Sequence, residues 1–227
     1  MLDPQNRMRS WLLVTACVGS AILCLPWDLE LSYWFRSLKI PGDLNKFIQM
    51  SEAFAHFLTI AFVFGCLLWT DVRNRSRLMI GIVFVLLCGV VANAAKGLVP
   101  RVRPNAVDLL PIELLPDHSL EVWGKPLSGS WFDEQFRSFP SGHSATAMAV
   151  AIALTAVYPR GKWFFIALAI MASVQRIESA SHYFSDVLFG VAITLLIGLI
   201  FWPRVKPRFD REAIADRDLS PIPKAPL

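Results

Sequence analysis

Six stretches without one aspartate, glutamate, lysine or arginine set the terms on which this chain can fold. They cover residues 11–27, 54–70, 78–95, 145–158, 163–174 and 187–202. In hydrocarbon every backbone N–H and C=O must be satisfied within the protein, and a helix does this within one segment. The reading is therefore all-α: an integral membrane bundle of six transmembrane helices, in one domain over residues 11–203. A cytoplasmic N-terminus (1–10) precedes it, and a disordered cytoplasmic tail rich in proline and charge (204–227) follows. Several stretches fall short of the roughly 20 residues a bilayer span needs. Polar residues flanking them must then lie at the headgroups or inside the bundle.

The first stretch follows Arg7 and Arg9, as in a secretion signal, but no clean small-x-small cleavage site follows it, and it is read as an uncleaved first span. Residues 28–52 are mixed and amphipathic, which suits the membrane interface. Short turns carry Arg73, Arg75 and Arg77, then Arg160 and Lys162, and the tail adds more basic residues. Dense basic turns mark the cytoplasmic side, so both termini are placed inside. The net charge of +4 and pI near 9.0 are explained by this anchoring, and nucleic-acid binding is not inferred. Cys17, Cys24, Cys66 and Cys88 all lie in apolar stretches without zinc-type spacing, which makes them packing residues.

The other end of the bundle then gathers three polar islands. One is Lys96 with Arg103-Pro104. A second is Ser138-Phe139-Pro140-Ser141-Gly142-His143, a turn leading into a small-residue helix. The third is Arg176, His182 and Asp186. Taken singly each has a plain reading. Lys96 suits a snorkelling anchor. A Ser-Gly turn before a helix is usually a turn. His182 and Asp186, four apart, can be a local hydrogen bond, and Arg176 can be a headgroup contact. Together they describe an anion site. Free N–H groups at a helix start attract anions, Gly142 lets an anion close to the backbone, and ionisable groups at membrane depth default to function.

The order Lys96, six residues, Arg103-Pro104; then Pro140-Ser141-Gly142-His143; then Arg176, five residues, His182, three residues, Asp186 resembles the three-part signature of the type 2 phosphatidic acid phosphatase family. That superfamily also contains vanadium-dependent haloperoxidases. The resemblance implies that His182 attacks phosphorus and forms a phosphohistidine, while Asp186 holds the proton on its other nitrogen. It implies that His143 protonates the leaving alkoxide and later activates water. Lys96, Arg103, Ser141, Gly142 and Arg176 bind the substrate phosphate. It implies neither a metal nor a cofactor, three fixed cations doing the charge work.

One position departs from the pattern: Gln175 stands where members often have serine, which leaves one phosphate hydrogen bond open, an amide also being able to donate. His56 and His118 match no motif and are read as incidental. The substrate expected from the resemblance and the position is a membrane lipid phosphate or diphosphate: phosphatidic acid, phosphatidylglycerol phosphate, undecaprenyl diphosphate or a lipid A phosphate. The expected setting is a bacterial cytoplasmic membrane, with the site facing outward. From Asp108 to Glu134 the connection 97–139 carries Asp108, Glu113, Asp117, Glu121, Asp133 and Glu134 against Lys125 alone, and forms either a headgroup-selecting lid or a solvated loop. Rival readings are a lipid phosphotransferase, a vanadate-dependent haloperoxidase and a non-catalytic lipid-phosphate binding or transport protein.

Overall fold

The computed structural model describes residues 4–107, 122–123 and 134–218. The acidic part of the connection, from Asp108 to Asp133, lies outside the described residues, as do His118 and residues 219–227. Nine helices form among the described residues: α1 (Pro4–Cys24), α2 (Asp28–Ser37), α3 (Gly42–Ser51), α4 (Phe57–Thr70), α5 (Arg75–Lys96), α6 (Pro104–Val107), α7 (Gly142–Val157), α8 (Lys162–Glu178) and α9 (Phe184–Asp218). No strand is found there. Two isolated bridges join Arg101 to Trp123 and to Arg137.

The all-helical expectation holds, and the span count becomes coarser. Three helical stretches, Met8–Ser37, Val72–Lys96 and Phe184–Arg211, are long and apolar enough to cross a membrane, and a fourth is reached if the bent pair Gly42–Ala55 and Phe57–Thr70 counts as one. The two halves of that pair meet at 69°. Helix α7 has only 16 residues, or about 24 Å at 1.5 Å per residue. It is also the centre of the molecule, packed by α5, α8 and α9. A helix walled by other helices can end against protein polar groups, so it needs less length than one facing lipid.

Small residues allow this central position. Ala145, Ala147, Ala149, Ala151 and Ala153 of α7 are all buried, and small side chains let helix backbones approach closely where no hydrophobic force drives them together. A Cβ on Gly81 of α5 would lie 3.2 Å from Ala153 Cβ. Thr194 of α9 donates a 2.8 Å hydrogen bond to the Ala145 carbonyl. Large apolar side chains point outward instead, Trp69 and Phe62 being 84% and 72% exposed, the inverse of a water-soluble protein.

One expectation is overturned. The stretch from 204 onward does not begin a disordered tail: α9 continues through it to Asp218, with Pro203 and Pro207 inside the helix. The prolines remove two hydrogen bonds, but packing compensates. Phe209 is buried, its ring centroid 5.6 Å from that of Trp202, and the Arg77 guanidinium lies 4.4 Å from its ring centre.

Arg77 also donates to the Ala156 carbonyl, and Tyr158 donates to Asp71. The two basic turns and the α9 extension thus share one end of the bundle. Lys96 and Gly142, at the far ends of α5 and α7, mark the opposite one.

Candidate active site

The turn before α7 is held from three sides. Ser141 has extended backbone (φ −71°, ψ 107°) and caps the helix, its hydroxyl accepting from Ser144 N–H at 3.3 Å. The same oxygen pairs with Ser144 Oγ at 2.9 Å. Ser141 N–H donates to the Asp186 carbonyl at 3.0 Å, and the Phe139 ring packs edge-on against Trp123 and Phe189. Gly190 of α9 closes the arrangement, because a Cβ there would lie 2.4 Å from the Ser141 carbonyl oxygen. Backbone cannot yield as a flexible side chain can. Gly190→Ala is therefore expected to destabilise the protein by about 1–3 kcal/mol and to reduce turnover by tilting the turn, as thermal unfolding and phosphate release in detergent would show.

This turn faces a cavity of about 950 Å³. Lys96, Arg103, Gly142, His143, Arg176 and His182 all line it, so six of the eight residues singled out from sequence meet at one place. Lys96 ends α5, buried, with its Cε 3.5 Å from where a Cβ on Gly142 would be. Arg103 stands before α6, its carbonyl accepting the N–H of Ala106 and its N–H donating to the Gln135 carbonyl. Arg176 lies in the last turn of α8. Its carbonyl accepts from both Ser181 and His182 N–H, each at 3.1 Å, which folds the next turn back over the helix end and fixes His182 next to it.

Two of the eight are placed behind the cavity. The Ser141 hydroxyl is buried, is engaged in the cap and does not line the cavity. Asp186, in the first turn of α9, is wholly buried behind His182. Its carboxylate accepts from Arg101 Nη1 (2.5 Å), Ser138 Oγ (2.5 Å) and Tyr183 N–H (2.9 Å). His182 Nδ1 faces it at 3.8 Å without a hydrogen-bond partner, and such bonds are often long in an empty site. Burial pulls the His182 imidazole down to about 4, and the charges of Lys96 and Arg103 push the same way against Asp186. The ring is thus neutral at pH 7.

The Gln175 amide oxygen accepts from Arg176 Nε at 2.6 Å, and its NH₂ donates to Gln49 Oε1 at 2.9 Å. It orients Arg176 and offers no donor to the cavity. His56, read as incidental, lines the cavity at the start of α4.

Arg101 was missed altogether as a site residue. It is fully buried, between the rings of Trp123 and Tyr183, whose centres lie 4.2 and 4.0 Å from the guanidinium carbon. Besides Asp186 it binds Asp28 Oδ2 of α2 at 2.7 Å and Ser185 Oγ at 2.9 Å. Asp28 in turn accepts from Ser185 N–H at 3.1 Å. The only sequence signal was a second arginine two residues before Arg103.

From the cations the cavity runs on between α4 and α5, lined by Phe57, Ile60, Phe64, Val85, Leu86 and Val90. Phe57 and Val90 are 68% and 66% exposed on the bundle's outer face. The slot is apolar and opens sideways.

Comparison with known proteins agrees with this geometry. The chain is 34% identical over 121 residues to a lipid A 1-phosphatase of Rhizobium johnstonii, covering 52% of this chain and 45% of the relative. It is 32% identical over 142 residues to a lipid A 1-phosphatase of Rhizobium etli, covering 55% and 56%. The chain spans about half the length of these curated relatives. In fold it is similar to the crystal structure of LpxE from Aquifex aeolicus, with TM-score 0.56, 22% identity and coverage of 78% of this chain and 95% of that one. The PAP2-type phosphatidylglycerolphosphate phosphatase of Bacillus subtilis gives TM-score 0.50 at 19% identity, covering 98% and 100%. A family model described as the PAP2 superfamily matches residues 77–210, more than half of the chain and all three polar islands; the chain belongs to the PAP2 superfamily.

Proposed function

We propose that the protein is a membrane lipid phosphatase that hydrolyses a lipid phosphate monoester or diphosphate through a phosphohistidine. One observation carries this reading: a single cavity joins three cations and the imidazoles of His143 and His182 to an apolar slot that opens at the lipid-facing surface. A phosphate at the cations leaves its lipid tail in the slot without either group being desolvated wrongly.

The chemistry follows from the placement. Lys96, Arg103 and Arg176 neutralise the phosphate oxygens, with the α7 N-terminus and Gly142 N–H adding donors. His182 Nδ1 faces Asp186, so Nε2 attacks phosphorus. The Nε2–P bond forms, the P–O bond to the lipid breaks, and His143 gives its proton to the departing oxygen. His143 then takes a proton from water as that water attacks the phosphohistidine, and inorganic phosphate leaves. Asp186 stabilises the charge developing on the imidazole.

The same reading completes the topology. Six spans, with α7 and α8 as short inner ones, put the basic turns at Arg73–Arg77 and Arg160–Lys162 on the cytoplasmic face and the site on the outer face. In a bacterial cytoplasmic membrane that face is periplasmic. The names of the two Rhizobium relatives make the glycosyl phosphate of lipid A the first candidate among the lipids.

The test is phosphate release in detergent from phosphatidic acid, phosphatidylglycerol phosphate, undecaprenyl diphosphate and lipid A bearing a 1-phosphate. At least one is expected to turn over, with lipid A preferred, and brief reaction with ³²P-labelled substrate should leave acid-labile label on the protein. No release from any of the four would sink the proposal.

A further inference from the structure

In the cavity two of the three cations are paired with anions of the protein itself. Glu52 Oε1 lies 2.9 Å from Arg176 Nη2 and 3.8 Å from His143 Nε2. Glu134 Oε2 lies 2.7 Å from Arg103 Nη2. The carboxylates come from unrelated places: Glu52 from the turn at the bend between α3 and α4, and Glu134 from the turn before Phe136. Neither belongs to the three polar islands. Both are partly solvent-exposed, at 37% and 72%, whereas the arginines they hold are 10% and 19% exposed. The anion is thus the movable partner of each pair and the cation the fixed one.

We propose that Glu52 and Glu134 are internal counter-anions that exchange with phosphate, and so set how tightly the site holds its substrate headgroup and its inorganic product. This rests on the reading of the cavity as a phosphate site. A phosphate group and a carboxylate cannot both take the same guanidinium fork without like-charge repulsion. Binding is then an exchange: the phosphate takes the arginine and the carboxylate turns to water. A cradle of three permanent cations would retain its product anion. Returning carboxylates lower that affinity and drive phosphate out. Glu52 has a second effect, because its approach to His143 Nε2 offers an acceptor for the proton that His143 must hold when substrate arrives.

The experiment measures binding of inorganic phosphate and orthovanadate to the full-length protein in detergent by calorimetry, together with KM and kcat on the best lipid substrate. The variants are Glu52→Gln, Glu134→Gln and the carboxylate-preserving Glu52→Asp. Each glutamine variant is expected to bind both anions about fivefold more tightly and to lower KM, because removing the competitor raises the fraction of open sites. Glu52→Gln is also expected to lower kcat, whereas Glu52→Asp should stay close to wild type in anion affinity. Damage to the fold would weaken anion binding, the opposite sign. Unchanged or weaker binding in both glutamine variants would overturn the inference. If wild type binds both anions and the variants tighten that binding, yet no lipid releases phosphate, the exchange stands and the phosphatase reading falls.

Discussion

Replacing His182 with alanine is expected to lower phosphate release by four orders of magnitude or more, about the scale on which a covalent mechanism loses its nucleophile. Two other imidazoles line the cavity. His143 is needed to protonate the departing oxygen, and His56, at the start of α4, lies outside the three polar islands; the three cations have no lone pair to offer. Anion binding should survive, because Lys96, Arg103 and Arg176 are fixed from α5, the α6 loop and α8 and do not depend on the ring. The signature is a protein that binds orthovanadate and turns nothing over. Residual activity within a hundredfold of wild type would mean that phosphorus is attacked by something else.

The protonation state sharpens this expectation. His182 is buried and held neutral, down to about 4 in the empty site. Attack needs the neutral ring, so activity is present above the imidazole's value in the enzyme–substrate complex and is lost as the pH falls through it. A bound phosphate dianion favours the charged ring and moves that acid limb upward from the empty-site position. The alkaline limb belongs to His143, whose charged form is disfavoured by burial and by the Arg176 and Lys96 charges beside it until a bound phosphate offsets them, and which then carries a proton to the leaving group. Turnover should therefore be bell-shaped in pH, and a rate flat from mildly acid to mildly alkaline conditions would separate these two histidines from the chemistry.

Arg101→Met is expected to be the most destabilising single change near the site. It strands Asp28 and Asp186, both fully buried, without the cation between them. Breaking a buried pair in this way costs about 3–5 kcal/mol, read as a lower thermal midpoint in detergent. Arg101→Lys should recover little of this, because an ammonium cannot fork to two carboxylates or stack between Trp123 and Tyr183. Adding Asp28→Asn to Arg101→Met removes one stranded charge and should restore part of the stability. It should not restore turnover, because Asp186 still lacks the group that orients it towards His182. If Arg101→Met matched wild type in midpoint and rate, the buried array would be incidental to the enzyme.

Arg101 also shows what the sequence could and could not reveal. Lys96, Arg103, His143, Arg176, His182 and Asp186 were legible because their types and spacings sit close to helix ends, where side-chain direction follows from position. The partners of Arg101 are Asp28, 73 residues earlier, and Asp186, 85 residues later. No local pattern pairs residues so far apart, so the second arginine read as one more external charge. Glu52 was hidden for the same reason, since only the bend after α3 brings it to Arg176. Ser141 is ambiguous from sequence: a hydroxyl before a helix serves equally as cap or ligand, and the structure shows the cap.

Proline misled at the other end of the chain. Pro203 and Pro207 end a helix in water, but Trp202, Phe209 and Arg77 hold this one together across them. The number of spans is less legible, because an apolar stretch reports that a segment avoids water and not whether lipid or protein surrounds it. Helix α7 is apolar largely for the second reason.

For the lipid phosphatase proposed above, the sideways mouth between α4 and α5 would set the law by which catalyst meets reactant. Encounter takes place within a leaflet, in two dimensions, so speed follows the mole fraction of phosphorylated lipid among its neighbours and not its molarity in the sample. Thinning the leaflet with inert lipid starves the protein even when total reactant is unchanged.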